Sequence, residues 1–194
     1  MPDISSRNLL LLMLGVAKRF ECVSEGVNGI TRLQKLLFLL ENEGQIEEIR
    51  GGYHFQAYKA GPYSPNLYDD LEFLENLGYI KSEVSGTATE EEAADMDFSF
   101  EELMEDNEAK TADVYDEKRF SLTQSGHDKI KALLKKDEFE PLVQGIRRIK
   151  SKYGSYSLDD LLYYVYTKYP EMTTESEIKQ QVLRKGRKSG RHTY

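Results

Sequence analysis

The stretch from Glu90 to Glu117 holds thirteen acidic residues and a single base, Lys110, and it constrains the fold more than any other part of the chain. A segment with this charge cannot bury enough apolar surface to form its own core. The segment nets −12, and because the whole chain nets −8, the remaining residues net +4. The sequence therefore predicts a slightly basic folded body that an acidic insert interrupts.

Apolar residues recur at helical spacing on both sides of this insert. Capping residues and glycine or proline stops set the ends of the predicted helices, for example Thr123 at the start of the fourth and Gly44 at the end of the second. We predict helices from Ser5 or Ser6 to about Val23, Ile30 to Gly44, Pro65 (capped by Ser64) to Gly78, Thr123 to Lys136, Phe139 to Tyr153, and Ser157 to Pro170.

Three segments are rich in residues that favour strands. Residues 53–61 alternate aromatic and polar side chains, and residues 79–84 and 118–123 are β-rich segments on either side of the insert. We expect the last two to pair as a β-wing that directly follows the third helix. The order helix, helix, helix, strand, wing, strand, helix is typical of a winged helix-turn-helix.

The fold prediction is therefore mainly α with a small β-wing. A winged-helix-like domain spans residues 5–136 and carries the acidic insert at about 85–117. A C-terminal helical extension covers 137–178, and a basic flexible tail covers 179–194.

Motifs for catalysis or for cofactor binding do not occur in the sequence. The three histidines have no metal-ligand spacing, and no nucleophile elbow or phosphate-binding glycine loop is present. These observations favour a non-enzymatic protein without metal or cofactor. The single cysteine, Cys22, allows no intramolecular disulfide and fits a reducing cytoplasm. The apolar run Leu9–Ala17 is too short to span a bilayer, so we expect no membrane role.

The predicted outward face of the third helix is acidic, which argues against its lying on DNA. Each acid near phosphate adds repulsion and opposes the release of counterions that drives DNA binding. Such a face suits a protein partner with a basic surface, and the sequence does not decide between a different protein and a second copy in a homodimer. The residues predicted to bind this partner are Tyr63, Asn66, Asp69, Asp70, Glu72 and Glu75.

The alternative is a DNA-binding transcriptional regulator that uses the wing, the fifth helix and the basic tail, with the acidic insert as a restraint. Solvated helix positions would produce the same pattern of bases. The residues predicted to bind nucleic acid in this alternative are Arg32, Lys35, Lys118, Arg119, Arg147, Arg148, Lys150, Lys152, Arg184, Lys185, Arg187 and Lys188.

Tyrosines are frequent near the C-terminal end of the chain. Their large amphipathic rings suit an interface, but those beside the leucines of the sixth helix also suit a core. The residues concerned are Tyr153, Tyr156, Tyr163, Tyr164, Tyr166 and Tyr169.

Three segments carry a resemblance to known families: "RLQKLLFLLE" (32–41), "FQAYKAGPYSPNLYDDLEFLENLGYI" (55–80) and "FSLTQSG" (120–126). They resemble the YwgA-like proteins and, more loosely, the Panacea domain of SocA-like antitoxins. The resemblance covers roughly residues 8–136, and Gly61-Pro62-Tyr63-Ser64 is its most specific element. It implies a compact winged-helix-like domain without catalytic residues, and the Panacea domains are linked to neutralising toxins by direct contact and to presenting substrates to proteases. We therefore expect a non-enzymatic, antitoxin- or regulator-like binding module that acts through protein–protein contacts.

Overall fold

The computed structural model describes residues 4–18, 26–46, 52–84 and 118–188. Over these residues the chain is mainly helical with small antiparallel sheets, which confirms the mainly α class with a minor β component. The helices are α1 (Ser6–Gly15), α2 (Ile30–Glu43), α3 (Asn66–Asn76), α4 (Gln124–Leu133), α5 (Glu140–Tyr153), α6 (Leu158–Lys168) and α7 (Lys179–Lys188). The strands are β1 (Val27–Asn28), β2 (Gln56–Tyr58), β3 (Gly61–Tyr63), β4 (Ile80–Val84) and β5 (Lys118–Leu122).

After its first turn, helix α1 is buried on all sides, since every residue from Leu9 to Leu14 is inaccessible to solvent. As predicted, Ser5 is its N-cap, and the Ser5 hydroxyl accepts a hydrogen bond from the amide of Asn8. The helix ends at Gly15, well before the predicted end at Val23, because Val16 has an extended backbone. Residues 19–25, which include Cys22, lie outside the described residues.

The predicted pairing of the two segments that flank the acidic insert is confirmed. Strands β4 and β5 are antiparallel, with Ile80 opposite Leu122 and Val84 opposite Lys118. Strand β1 pairs with the other edge of β5, so the sheet has the order β1-β5-β4. The sequence did not indicate β1, which has only two residues and thus no readable alternation. The insert itself, including its apolar residues 98–104, lies outside the described residues.

A second hairpin, β2–β3, leads into α3. Gly61 has φ +83°, and a Cβ there would lie 2.9 Å from the Tyr166 ring, so the position favours glycine twice over. The predicted cap of α3 was wrong. Ser64 is buried, its hydroxyl donates to the Tyr53 carbonyl and its amide donates to Gln34, so Pro65 takes the N-cap position instead.

The C-terminal helices pack on α2 and share one hydrophobic core with the N-terminal ones. Thr123 and Ser157 cap α4 and α6 as predicted. The prediction of a flexible tail from residue 179 was wrong for 179–188, which form α7. Ile178 and Val182 are buried at i, i+4 spacing, and this apolar pair holds the helix against α6.

Among the described residues, none of the helices has both the length and the apolar composition that a membrane crossing requires.

Candidate protein-binding surface

The outward face of α3 combines acidic, amide and apolar side chains. Asn66, Asp69, Glu72 and Asn76 are exposed, as the sequence predicted for Asn66, Asp69 and Glu72. Among the described residues, no side chain forms a hydrogen bond or ion pair with the carboxylates of Asp69 and Glu72. Two apolar side chains extend this face, Phe73 at 38% exposure and Leu77, just beyond the helix, at 53%.

Asp70 does not belong to this face, which corrects the prediction. Its side chain is buried, pairs with Arg7 at 2.9 Å and accepts a hydrogen bond from the Tyr53 hydroxyl at 3.3 Å. The physical reason is helical spacing, because Asp70 lies three residues after Leu67 and four before Leu74, within the buried stripe. The neighbouring Asp70 carboxylate and burial both raise the pKa of Tyr53 well above its usual value, with burial the larger effect.

Glu75 is only half-exposed and is used inside the fold. Its carboxylate accepts hydrogen bonds from the Ser82 amide at 3.1 Å and from the Ser82 hydroxyl at 2.5 Å. These bonds join α3 to β4, so Glu75 positions the helix and contributes little to an outer surface.

Tyr63, the remaining predicted partner-binding residue, belongs to a row of three half-buried tyrosines. Its ring centroid lies 4.7 Å from that of Tyr58 and 5.9 Å from that of Tyr68. The row runs from the β2–β3 hairpin onto α3 and therefore adjoins the acidic face.

Two of the bases predicted to bind nucleic acid are buried, which rules them out as surface contacts. Lys35 donates to the carbonyl of Pro62 at 3.0 Å, and Lys150 donates to the carbonyl of Val16 at 2.5 Å. Burial lowers the pKa of Lys150 to about 8. Both lysines sit on helix faces that pack inward, where the long side chain reaches a backbone carbonyl across the interface.

Four more of these bases have partners within the fold. Arg32 donates to the Tyr156 carbonyl, and Arg148 donates to the Gly44 carbonyl just after α2. Lys152 pairs with Glu43, and Lys185 with Asp159. The fifth helix therefore directs most of its bases to internal contacts.

The six other predicted bases lie on β5, α5 and α7. Lys118, Arg119 and Arg147 are half-buried, and Arg184 is exposed on α7. Arg187 and Lys188 continue α7, and their side chains lie outside the described residues.

The structure contains a carboxylate-centred cluster that no sequence pattern indicated. Glu43, in the last turn of α2, accepts hydrogen bonds from the hydroxyls of Tyr153 (2.5 Å), Tyr164 (2.9 Å) and Tyr169 (2.9 Å). It also pairs with Lys168 at 2.9 Å and with Lys152 at 3.2 Å. Burial alone would raise the pKa of Glu43, but the hydrogen bonds outweigh it and lower this pKa to about 2.

Chemically, this Glu43 cluster is a clamp. It joins α2 to α5 and α6, because three tyrosine hydroxyls and two lysine ammonium groups donate to the one carboxylate. The tyrosines predicted as either interface or core are thus partly core: Tyr153 and Tyr166 are buried, and Tyr164 and Tyr169 hold Glu43 from the side. The number of tyrosines in this region was the one sequence signal for the cluster. It could not identify Glu43 as their common partner, because Glu43 lies more than one hundred residues earlier in the chain.

His54 is exposed and His127 is half-buried. Within the described ranges, no three His, Cys, Asp or Glu side chains are placed to hold a metal ion. Burial raises the pKa of Glu41 to about 7, against the lowering effect of the Tyr53 amide that donates to it at 2.9 Å. Among the described residues, the hydrogen bond to Glu41 comes from this backbone amide and supports the loop before β2.

Comparisons with protein-family models, with curated proteins and with solved structures gave no match to this chain. The resemblance to YwgA-like proteins and to the Panacea domain stays a prediction.

Proposed function

We propose that this chain is a non-enzymatic, winged-helix-like binding module that acts through protein–protein contacts, antitoxin- or regulator-like in its mode of action. The observation that carries the proposal is the outward face of α3, where Phe73 and Leu77 are exposed beside the acids Asp69 and Glu72. Interfaces combine apolar anchors with a polar rim, and opposite charge selects the partner. The partner we propose is a protein with a basic surface around apolar side chains.

The winged-helix part of the proposal draws on the order of elements. Helix α3 is followed by the antiparallel pair β4–β5 and then by α4, and β1 extends the sheet on the edge of β5. In DNA-binding winged helices the helix at the position of α3 enters the major groove. Here that helix has no lysine or arginine, so the same framework presents a surface that suits a protein better than a polyanion.

DNA binding is the competing hypothesis, and it is weakened because several of the required bases make contacts inside the fold. Of the twelve bases that it requires, Lys35 and Lys150 are buried and four others have partners within the fold. A DNA surface would have to rely on the rest, such as the exposed Arg184.

The test compares protein capture and DNA binding by the full chain. The first variant reverses charge on α3 with Asp69→Lys and Glu72→Lys. The matched control makes the same charge change at two exposed acids elsewhere, Glu171→Lys and Glu175→Lys. Immobilised wild-type chain should retain a protein from a lysate of its source cells that the control retains and the α3 variant loses.

Duplex binding is measured by fluorescence anisotropy at low and moderate salt. We expect no salt-sensitive binding by the wild type or by a chain lacking residues 90–117. Retention of the same proteins by both charge variants would contradict the proposal. Salt-sensitive duplex binding that appears on deletion of 90–117 and falls with Arg184→Ala would favour the DNA-binding alternative instead.

A further inference from the structure

An arginine is already bound to α3 from within the molecule. The Nε atom of Arg7, on α1, donates to Asp70 at 2.9 Å, while its guanidinium carbon lies 3.6 Å from the centroid of the Phe73 ring. One flat cation thus pairs through its edge with a carboxylate and rests its face on an aromatic ring. Asp70 and Phe73 are three residues apart, so a single helix surface supplies both groups.

The adjoining outward surface of α3 repeats this combination. At 100° per residue, the order around the helix is Tyr68, Glu72, Asp69 and Phe73, so two carboxylates lie between two aromatic residues. Tyr68 and Glu72 are four residues apart, as are Asp69 and Phe73, and such pairs are neighbours on a helix. We refer to these four residues as the α3 aromatic–acid patch.

The two carboxylates of the patch are available to a partner. Asp69 and Glu72 are exposed, and the described residues offer them no hydrogen bond or ion pair. The centroid of the Tyr68 ring lies 5.9 Å from that of Tyr63, and this contact restricts the Tyr68 side chain. Because the ring is already restricted, less conformational entropy is lost when a partner packs against it. Phe73, at 38% exposure, keeps part of its ring accessible even with Arg7 above it.

We infer that the α3 aromatic–acid patch binds an arginine side chain on a basic segment of the protein partner. The guanidinium pairs with Glu72 or Asp69 and stacks on the Tyr68 or Phe73 ring, as Arg7 does with Asp70 and Phe73. The inference deepens the proposed function, because it rests on α3 as the contact surface and names the group that this surface selects. Lysine fits less well, since a compact ammonium cannot pair edge-on and stack face-on at once.

The test uses two short capped peptides that are identical except that one carries three arginines and the other three lysines. Their binding to the full chain is measured by fluorescence anisotropy. The arginine peptide should bind roughly threefold or more tightly than the lysine peptide, in line with the stronger stacking of guanidinium on aromatic rings.

Two variants locate the site. Asp69→Asn with Glu72→Gln should weaken the arginine peptide by about threefold to fivefold, the effect of losing an exposed ion pair with good geometry. The matched control, Glu171→Gln with Glu175→Gln, should change binding by less than about twofold. Tyr68→Leu with Phe73→Leu keeps the charge and should bring the arginine and lysine peptides to equal affinity. Circular dichroism and sedimentation velocity verify that each variant is folded and monitor self-association.

The inference would be overturned if the wild type bound the arginine and lysine peptides with equal affinity. It would also be overturned if the patch variant and the control variant lost the same amount of affinity for the arginine peptide. A third contrary result is self-association of the chain that only the Asp69 and Glu72 variant abolishes. The last result would mean that a second copy of the chain covers the patch. A protein partner that depends on α3, found while the peptides show no arginine preference, would leave the proposed function in place and remove only the arginine site. If no protein partner depends on α3 and the peptides show no arginine preference, both the proposed function and the arginine site would be refuted.

Discussion

Replacement of Glu43 by glutamine tests whether the Glu43 cluster holds α2 to α5 and α6. The pKa of Glu43 falls from 4.5 to about 2 in the folded chain. At about 1.4 kcal/mol per pKa unit, that difference corresponds to at most about 3–4 kcal/mol of stability at neutral pH. Lys152 and Lys168 are half-exposed and screened by solvent, so we expect Glu43→Gln to cost about 1–2 kcal/mol.

The assay is urea unfolding followed by far-ultraviolet circular dichroism between pH 7 and pH 2. A carboxylate with a depressed pKa stabilises the fold above its unfolded value, and this contribution is lost as the pH falls from about 4.5 to about 2. The stability difference between wild type and Glu43→Gln should therefore be largest at neutral pH and shrink towards zero near pH 2. Glu175→Gln, at an exposed acid, serves as the control. Equal stability at pH 7, or a difference that persists unchanged at pH 2, would refute the reasoning.

Three further predictions concern other buried charges and use the same unfolding assay. Arg7→Ala leaves the buried Asp70 carboxylate without its cation and should lower the free energy of unfolding by about 2–4 kcal/mol, whereas an effect below 0.5 kcal/mol would place Asp70 in solvent. The pKa of Glu41 is raised to about 7, so the free energy of unfolding of the wild type should fall as the pH rises from about 4.5 to 7. Glu41→Gln should remove this fall and leave the chain about 1–2 kcal/mol more stable than the wild type at pH 8. Equal stability of the two chains at pH 8 would mean that solvent reaches Glu41. Lys150 has a pKa lowered to about 8, so its contribution should grow more favourable between pH 8 and pH 10.5, and Lys150→Met should abolish that rise; an unchanged profile would contradict its burial.

Local signals were sufficient to predict most of the helices. Thr123 and Ser157 were identified as caps because a side-chain oxygen three residues before a free amide is a short-range device that the sequence displays directly. The end of α2 at Gly44 was also predicted from a local signal, because glycine commonly follows the last turn of a helix. The pairing of β4 with β5 followed from composition, because both segments are β-rich and only the acidic insert separates them.

The errors arose where residue type was given more weight than position. Asp70 was assigned to the surface because it is charged, although its spacing from Leu67 and Leu74 places it in the buried stripe. The segment from residue 179 was assigned to a flexible tail because it is basic, although Ile178 and Val182 have the spacing of a buried helix edge. In both cases the apolar period was the better predictor.

The candidate site was only partly accessible from sequence. The acidity of α3 could be predicted, because Asp69 and Glu72 lie opposite the leucines of the same helix. The stacking of Arg7 on Phe73 and the convergence of three tyrosines on Glu43 could not, because they join residues between 66 and 126 positions apart, and no local pattern encodes such contacts.

The register of the β4–β5 pair should allow the protein to tolerate the insertion of another domain between these strands. Val84 and Lys118 face each other across the ladder, so whatever connects them begins and ends at neighbouring points of the body. Closing a longer connection between fixed neighbouring ends costs only about 0.6 kcal/mol per doubling of its length. A fluorescent protein or an epitope that replaces residues 85–117 should therefore leave β4 and β5 paired and the helices intact. Such an insertion would label the chain for imaging or capture.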